Sequence, residues 1–196
     1  MRLPDTAHTS QPWRVHDIAA DFILEDVWRL PTPGGPDGLA RYVRLAGTRA
    51  EHKSFTIEQL LLTIRWKLGG LLGWDEPETA IGTRVSSLRD RLPADLRDGE
   101  RGPDIPGTPF TSVYLTDREW LAEFANKTVH GLMHISWVPG DDGYHAQMAA
   151  LVKPNGRFGT LYMAAIKPIR HLLVYPSMMR TIERRWLEPD TPETVA

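Results

Sequence analysis

His130 and His134 are the first residues in this chain that could do chemistry together. They lie in the stretch TVHGLMHISWV, residues 128–138. Their four-residue spacing is the one with which zinc hydrolases present two imidazoles on a helix. On a helix the two Cβ atoms would stand roughly 6 Å apart. On a strand they would share a face at about 13 Å, too far for one zinc ion that binds nitrogen at roughly 2 Å. The zinc motif also needs a glutamate base directly after the first histidine, and that place holds Gly131. Val129, Met133, Ile135 and Trp137 alternate with His130, His134 and Ser136, which is period two. The stretch therefore reads as a strand with one apolar and one mixed face, and no metal is expected. Each histidine is then either a polar group on the less buried face or a lone acid–base group in a pocket. Tyr114 and Tyr162 join His130 and His134 as candidate proton-moving groups, the alternative being packed aromatics with their hydroxyls at the surface.

The elements that would position these groups follow from turns and periods. Residues 1–12 read as a loose tail and residues 188–196 as another, with a single domain over 13–187. A first strand is expected near 13–18, with a short extended or helical piece after it. PTPGGPDG is a turn cluster, and Asp37 is placed to cap a short helix, GLARYVRLA. Over 57–72, Ile57, Leu60, Leu61, Ile64, Leu68 and Leu71 recur at helical steps behind a Thr56–Gln59 capping box. Within it Arg65, beside Trp66, either enters a pocket to hold a carboxylate or phenolate or lays its stem on the helix. SLRDRLPADLRD should form local ion pairs worth at most about 1 kcal/mol each.

From Phe110 the character is β. FTSVYLT is rich in β-branched and aromatic residues. EWLAEFANK fits a strand ending at Asn126-Lys127 better than a helix. The turn PGDDG leads into YHAQMAALV, which alternates Ala146, Met148, Ala150 and Val152 on one face. KPNGRFG reads as another turn and TLYMAAIKP as a further strand of an antiparallel meander. A final helix is expected from Pro168, with Leu172, Tyr175, Met179, Ile182 and Trp186 on one stripe, kinked or split at Pro176.

Composition bounds the function. The 196 residues carry a formal net charge of −2 and no cysteine. No general attraction to nucleic acid or an anionic membrane follows, and disulfides, thiolate metal sites and a cysteine nucleophile are excluded. The longest apolar stretch is interrupted by Glu58, Arg65 and Lys67 and is too broken to span a bilayer. The tail lacks the apolar run of a signal peptide, so a cytoplasmic location is the default.

The strings DFILEDVWRLPTPGG, IRWKLGGLLGWD, SLRDRLPADLRD, NKTVHGLMHISWV and ALVKPNGRFGTLYMAAIKPIRHLLVYP resemble the bacterial family DUF2867. That family is grouped, by resemblance, with the START-like or Bet v 1-like SRPBCC superfamily. The resemblance implies an α+β helix-grip fold, a curved antiparallel sheet wrapped around a long C-terminal helix. Relatives of that fold bind apolar small molecules, carry lipids, or act as polyketide cyclases or aromatases. The expected function is accordingly an apolar-ligand-binding protein, or a cyclase- or lyase-like enzyme without cofactor or metal. A non-catalytic interaction domain with a filled core is the alternative, and a homodimer is left open. Arg65, Trp66, Met133, Trp137, Tyr144, Met148, Met163, Tyr175 and Met179 are the candidate ligand-binding residues, with the methionines otherwise plain core.

Overall fold

The computed structural model describes residues 1–48, 81, 85–126 and 128–188. The helix expected over 57–72, with Arg65 and Trp66, lies outside the described residues, and so does the side chain of Tyr162. Strands β1 (Arg2–Leu3), β2 (Ile23–Arg29), β3 (Thr111–Leu115), β4 (Glu119–Ala125), β5 (Val129–Gly140) and β6 (Gly143–Pro154) form one antiparallel sheet in the order β1-β2-β6-β5-β4-β3. Helices α1 (Thr6–Thr9), α2 (Val15–Ile18), α3 (Gly38–Gly47), α4 (Ala94–Arg97), α5 (Gly156–Ile169) and α6 (Tyr175–Leu187) surround it, with a 3-10 turn at Leu88–Arg91 and a π-helical turn at Arg170–Val174. An open antiparallel sheet with a long C-terminal helical rod packed on it is the α+β helix-grip arrangement.

The β4–β5–β6 meander follows the alternation in its sequence. Gly140 pairs with Gly143 across Asp141-Asp142, and Gly143 takes a φ of 106°, which a side chain would strain. At the other hairpin, Asn126 Oδ1 accepts the Thr128 and Val129 N–H groups at 2.8 and 2.9 Å, an Asx turn that sets the β4/β5 register. Phe124 lies opposite Gly131, and its ring occupies the space a Cβ there would need.

The sheet separates two cores. Trp120, Ile135, Trp137, Ala146 and Met148 face Tyr175 and Trp186 of α6 and Leu39, Tyr42 and Val43 of α3. Trp137 and Trp186 also donate their indole N–H groups to Gly35 O and Pro33 O, fastening the proline- and glycine-rich loop over this core. On the opposite face Leu121, Leu132, Ala149 and Leu151 pack against Trp13, Val15, Ile18 and Phe22 and against Leu88, Leu92 and Leu96.

Several expectations need correction. The first dozen residues are not loose: β1 pairs with β2, and His8 of α1 is buried. The strand expected near 13–18 is helix α2, and the strand forms later as β2. TLYMAAIKP is helical, part of α5, because its short apolar run carries no period of its own and covers the sheet end at Val129 and Val152. Asp37 precedes α3 as expected but makes no side-chain cap bond. The charged string reaches outward rather than pairing locally: Arg91 binds Asp21 at 2.8 Å and Asp95 binds Arg14 at 2.7 Å.

The C-terminal rod does not start at Pro168; that proline lies inside α5. Pro176 falls in the first turn of α6, where a missing N–H costs little. Between them the π-turn inserts one residue, which rotates the following stripe by about 100°. Tyr175 and Trp186 are buried, while Leu172, assigned to the same stripe by its spacing, is 73% exposed.

Candidate functional site

The π-turn brings three side chains of one short stretch onto a single buried carboxylate. Asp26 lies in β2 on the gripped face, beside a register shift between Leu24 and Asp26, and is 0% exposed. Its Oδ2 accepts from Arg170 and, at 3.1 Å, from the Tyr175 hydroxyl. Its Oδ1 accepts from His171 Nε2 at 2.6 Å. Arg170 also donates to the Tyr175 oxygen at 3.1 Å, and Arg2 Nε stands 3.6 Å from Oδ1. Burial would lower the Arg170 pKa, but the facing Tyr175 and Asp26 raise it, so the guanidinium stays charged. Burial raises the Tyr175 phenol and keeps it a donor.

This geometry can do acid–base work. Asp26 accepts the Nε2–H of His171, which leaves Nδ1 as the bare, basic nitrogen of a partly accessible ring. Trp28, two residues along the same strand face, stacks 4.6 Å from Tyr175 and 6.0 Å from His171, centroid to centroid. Its indole N–H is buried with no hydrogen-bond partner among the described residues. A buried donor left unpaired costs about 1–3 kcal/mol, which an acceptor oxygen placed there would recover. Next to this cluster the seam between β2 and α6 opens into a cleft of about 290 Å³, lined by Met1, Arg29, Leu30, Pro31, Met179, Arg180 and Glu183.

Six sequence-predicted ligand residues share this face. Trp137, Met148 and Tyr175 are buried in its core, Met133, Tyr144 and Met179 pack at its margin, and Met179 also lines the cleft. Met163 sits farther along, on α5 against Val129, Val152 and Ile166. The catalytic candidates lie elsewhere. His130, His134 and Tyr114 are on the opposite sheet face, so the sheet divides them from the methionine- and tryptophan-lined side. That opposite face, read as the less buried one, is closed by the N-terminal elements: His130 and His134 are both buried, His134 at 0%.

Each of the two histidines has its own carboxylate. His130 Nε2 bonds Glu123 Oε2 at 2.8 Å, and Glu123 also accepts from Ser87 at 2.5 Å and from the Leu88 N–H at 3.0 Å. His134 Nε2 bonds Glu119 Oε2 at 2.8 Å, and Glu119 also accepts from the Tyr114 hydroxyl at 2.9 Å and the Arg14 N–H at 3.0 Å. Burial pushes both glutamates up, but these donors outweigh it and hold both below the usual range. Burial, then the adjacent Glu119, raises the Tyr114 phenol. Among the described residues no group of three or more histidine, aspartate or glutamate side chains has metal-holding geometry.

Sequence reasoning missed Asp26, Arg170, His171, Glu119, Glu123 and His8. Glu119 and Glu123 were within reach: once Asn126 is taken as a turn, the register sets them on the same face as His130 and His134. The Asp26 cluster carried no such local cue, because its two halves are 144 residues apart in the chain.

Among known proteins, the family model described as "Protein of unknown function (DUF2867)" matches residues 18–177. No curated protein and no solved structure matches the chain.

Proposed function

For this chain, which belongs to the DUF2867 family, we propose that the seam between β2 and α6 binds a small, largely apolar molecule bearing an acceptor oxygen. The observation that carries this reading is the orphaned Trp28 N–H, buried beside Tyr175 and His171. Trp28, Met133, Met148 and Met179 supply adaptable apolar contact for the body of such a ligand. Arg170 and Tyr175 hold the Asp26 carboxylate, and Asp26 holds His171 in the tautomer that offers Nδ1 as a base. If the ligand reacts, proton abstraction from a carbon next to its carbonyl, as in a cyclase, is the step this base suits.

The test uses decanoate and 1-anilinonaphthalene-8-sulfonate as probes, titrated against the full chain by calorimetry and native mass spectrometry. Binding at one site, weakened about tenfold in Trp28→Phe, corresponds to one lost hydrogen bond. Failure of both probes to bind, or equal affinity in Trp28→Phe, overturns the reading. One observation favours a different class: Leu172 and Leu173, adjoining the cluster, are 73% and 56% exposed, as a docking face for another protein would be. Concentration-dependent association, lost in Leu172→Ser/Leu173→Ser, identifies that case.

A further inference from the structure

The face away from the seam carries a chain of three imidazoles. His16 Nε2 lies 3.2 Å from His8 Nδ1, and His8 Nε2 lies 3.1 Å from His134 Nδ1. His134 Nε2 then meets Glu119 Oε2 at 2.8 Å, where the Tyr114 hydroxyl also ends. The rings stand edge to face, with centroids 4.8 and 5.0 Å apart. His16 is half-buried, and its Nδ1 takes no bond from the described residues; the other members are buried. We propose that His16, His8 and His134 form a proton-transfer chain that links solvent to the buried Glu119 carboxylate.

The hydrogen-bond directions fit this assignment. An ionised Glu119 only accepts, so His134 carries its proton on Nε2 and presents a bare Nδ1. His8 must then donate from Nε2 and accept at Nδ1, and His16 must donate from Nε2. With one proton on each ring, all three protons point inward. A proton arriving at His16 Nδ1 releases the Nε2 proton to His8 Nδ1. His8 passes its own Nε2 proton to His134 Nδ1, and His134 passes its Nε2 proton to Glu119. One proton has entered and one carboxylate is neutralised. Every hydrogen bond survives with its direction reversed, and no ring keeps a charge. Burial, then the neighbouring His134 and His16, holds the His8 pKa at about 3, so the proton passes through this ring rather than resting on it.

The surroundings keep the chain assembled. Arg14 gives its N–H to Glu119 and its guanidinium to Asp95. Arg118 lies over the Trp13 ring, which itself tilts against His134 at 5.6 Å. Gln147 anchors α1 through Ala7 O at 3.3 Å. Asp17, next to His16, is exposed. Ser136, on the same strand face as His134, donates to Gln147 O at 3.5 Å and leaves the chain alone.

The experiment is an acid jump on the full chain, with protonation of Glu119 followed by the infrared carboxyl band that Glu119→Gln removes. Through the relay this buried carboxylate should take up its proton at least ~100-fold faster than the backbone amides of β4, β5 and β6 open to water, the route a proton would otherwise need. His8→Gln keeps a donor toward His134 Nδ1, but its amide cannot take a proton on one atom and release it from another. In that variant the uptake rate should fall to within a few-fold of amide opening, with the fold intact. His16→Gln, a change at a half-buried site, should do the same. Uptake as slow as amide opening in the parent protein, or unchanged in both variants, overturns the proposal.

Discussion

Lowering the pH from 7 to 5 is expected to release α1 and α2 from the sheet ahead of every other element. His8 is 1% exposed and makes both of its ring hydrogen bonds to other imidazoles. Its pKa falls from an ordinary 6.5 to about 3 on docking, through burial first and then the two neighbouring rings. A histidine with a depressed folded pKa binds its proton first in the undocked state. Its docking free energy is therefore intact above pH 6.5, drains by about 1.4 kcal/mol per unit as pH falls, and levels off near pH 3. At pH 5 the loss is about 2 kcal/mol, or roughly 30-fold in the opening equilibrium. His134, also lowered by burial, adds in the same direction. Glu119 and Glu123 are depressed from an ordinary 4.5, so their stabilisation is lost only at lower pH and does not contaminate this window. Hydrogen exchange read by mass spectrometry on peptides spanning 4–18, corrected for the intrinsic pH dependence of exchange, measures the opening directly. An opening constant that stays flat from pH 7 to 5, or that rises as steeply in His8→Gln, would refute the reasoning.

Two further outcomes test the rod. Arg170→Met should cost about 3–5 kcal/mol in urea unfolding, because it strands the enclosed Asp26 carboxylate without its closest cation. Leu172→Ser should change stability by no more than about 0.5 kcal/mol, since its side chain faces water, and a larger loss would mean that the stripe runs unbroken through the π-turn.

What could be read from the sequence was what short-range periodicity encodes. The β5 and β6 segments alternate cleanly and are bounded by turn residues, so the hairpin and its faces were legible, as were β3 and β4, while the helix-grip class came with the family resemblance. Residues 160–168 were misassigned because Thr160 to Pro168 is too short a stretch for period two and period 3.6 to diverge. Burial of His8 was invisible for a different reason. Its partner is 126 residues away, and nothing in MRLPDTAHTSQPW distinguishes a docked segment from a loose one. The split between the histidine face and the methionine face was implicit in the alternation of β5, since residues one apart on a strand point to opposite sides. Assigning His134 and Met133 to one pocket overlooked that constraint. The π-turn has no sequence period at all; only the two prolines that bracket it, Pro168 and Pro176, hint that the helix cannot run through unbroken.

The strand order has a consequence for how the molecule assembles. Strands β3 to β6 pair with sequence neighbours and can zip together as they leave the ribosome, whereas β2 must wait for β6. Everything from Leu30 to Asp142 has to be threaded out before that seam can close, at a chain-entropy cost of about 4 kcal/mol. Until then β2 has no central partner, and its row of unpaired amides and carbonyls is the nascent chain's main liability to mispairing.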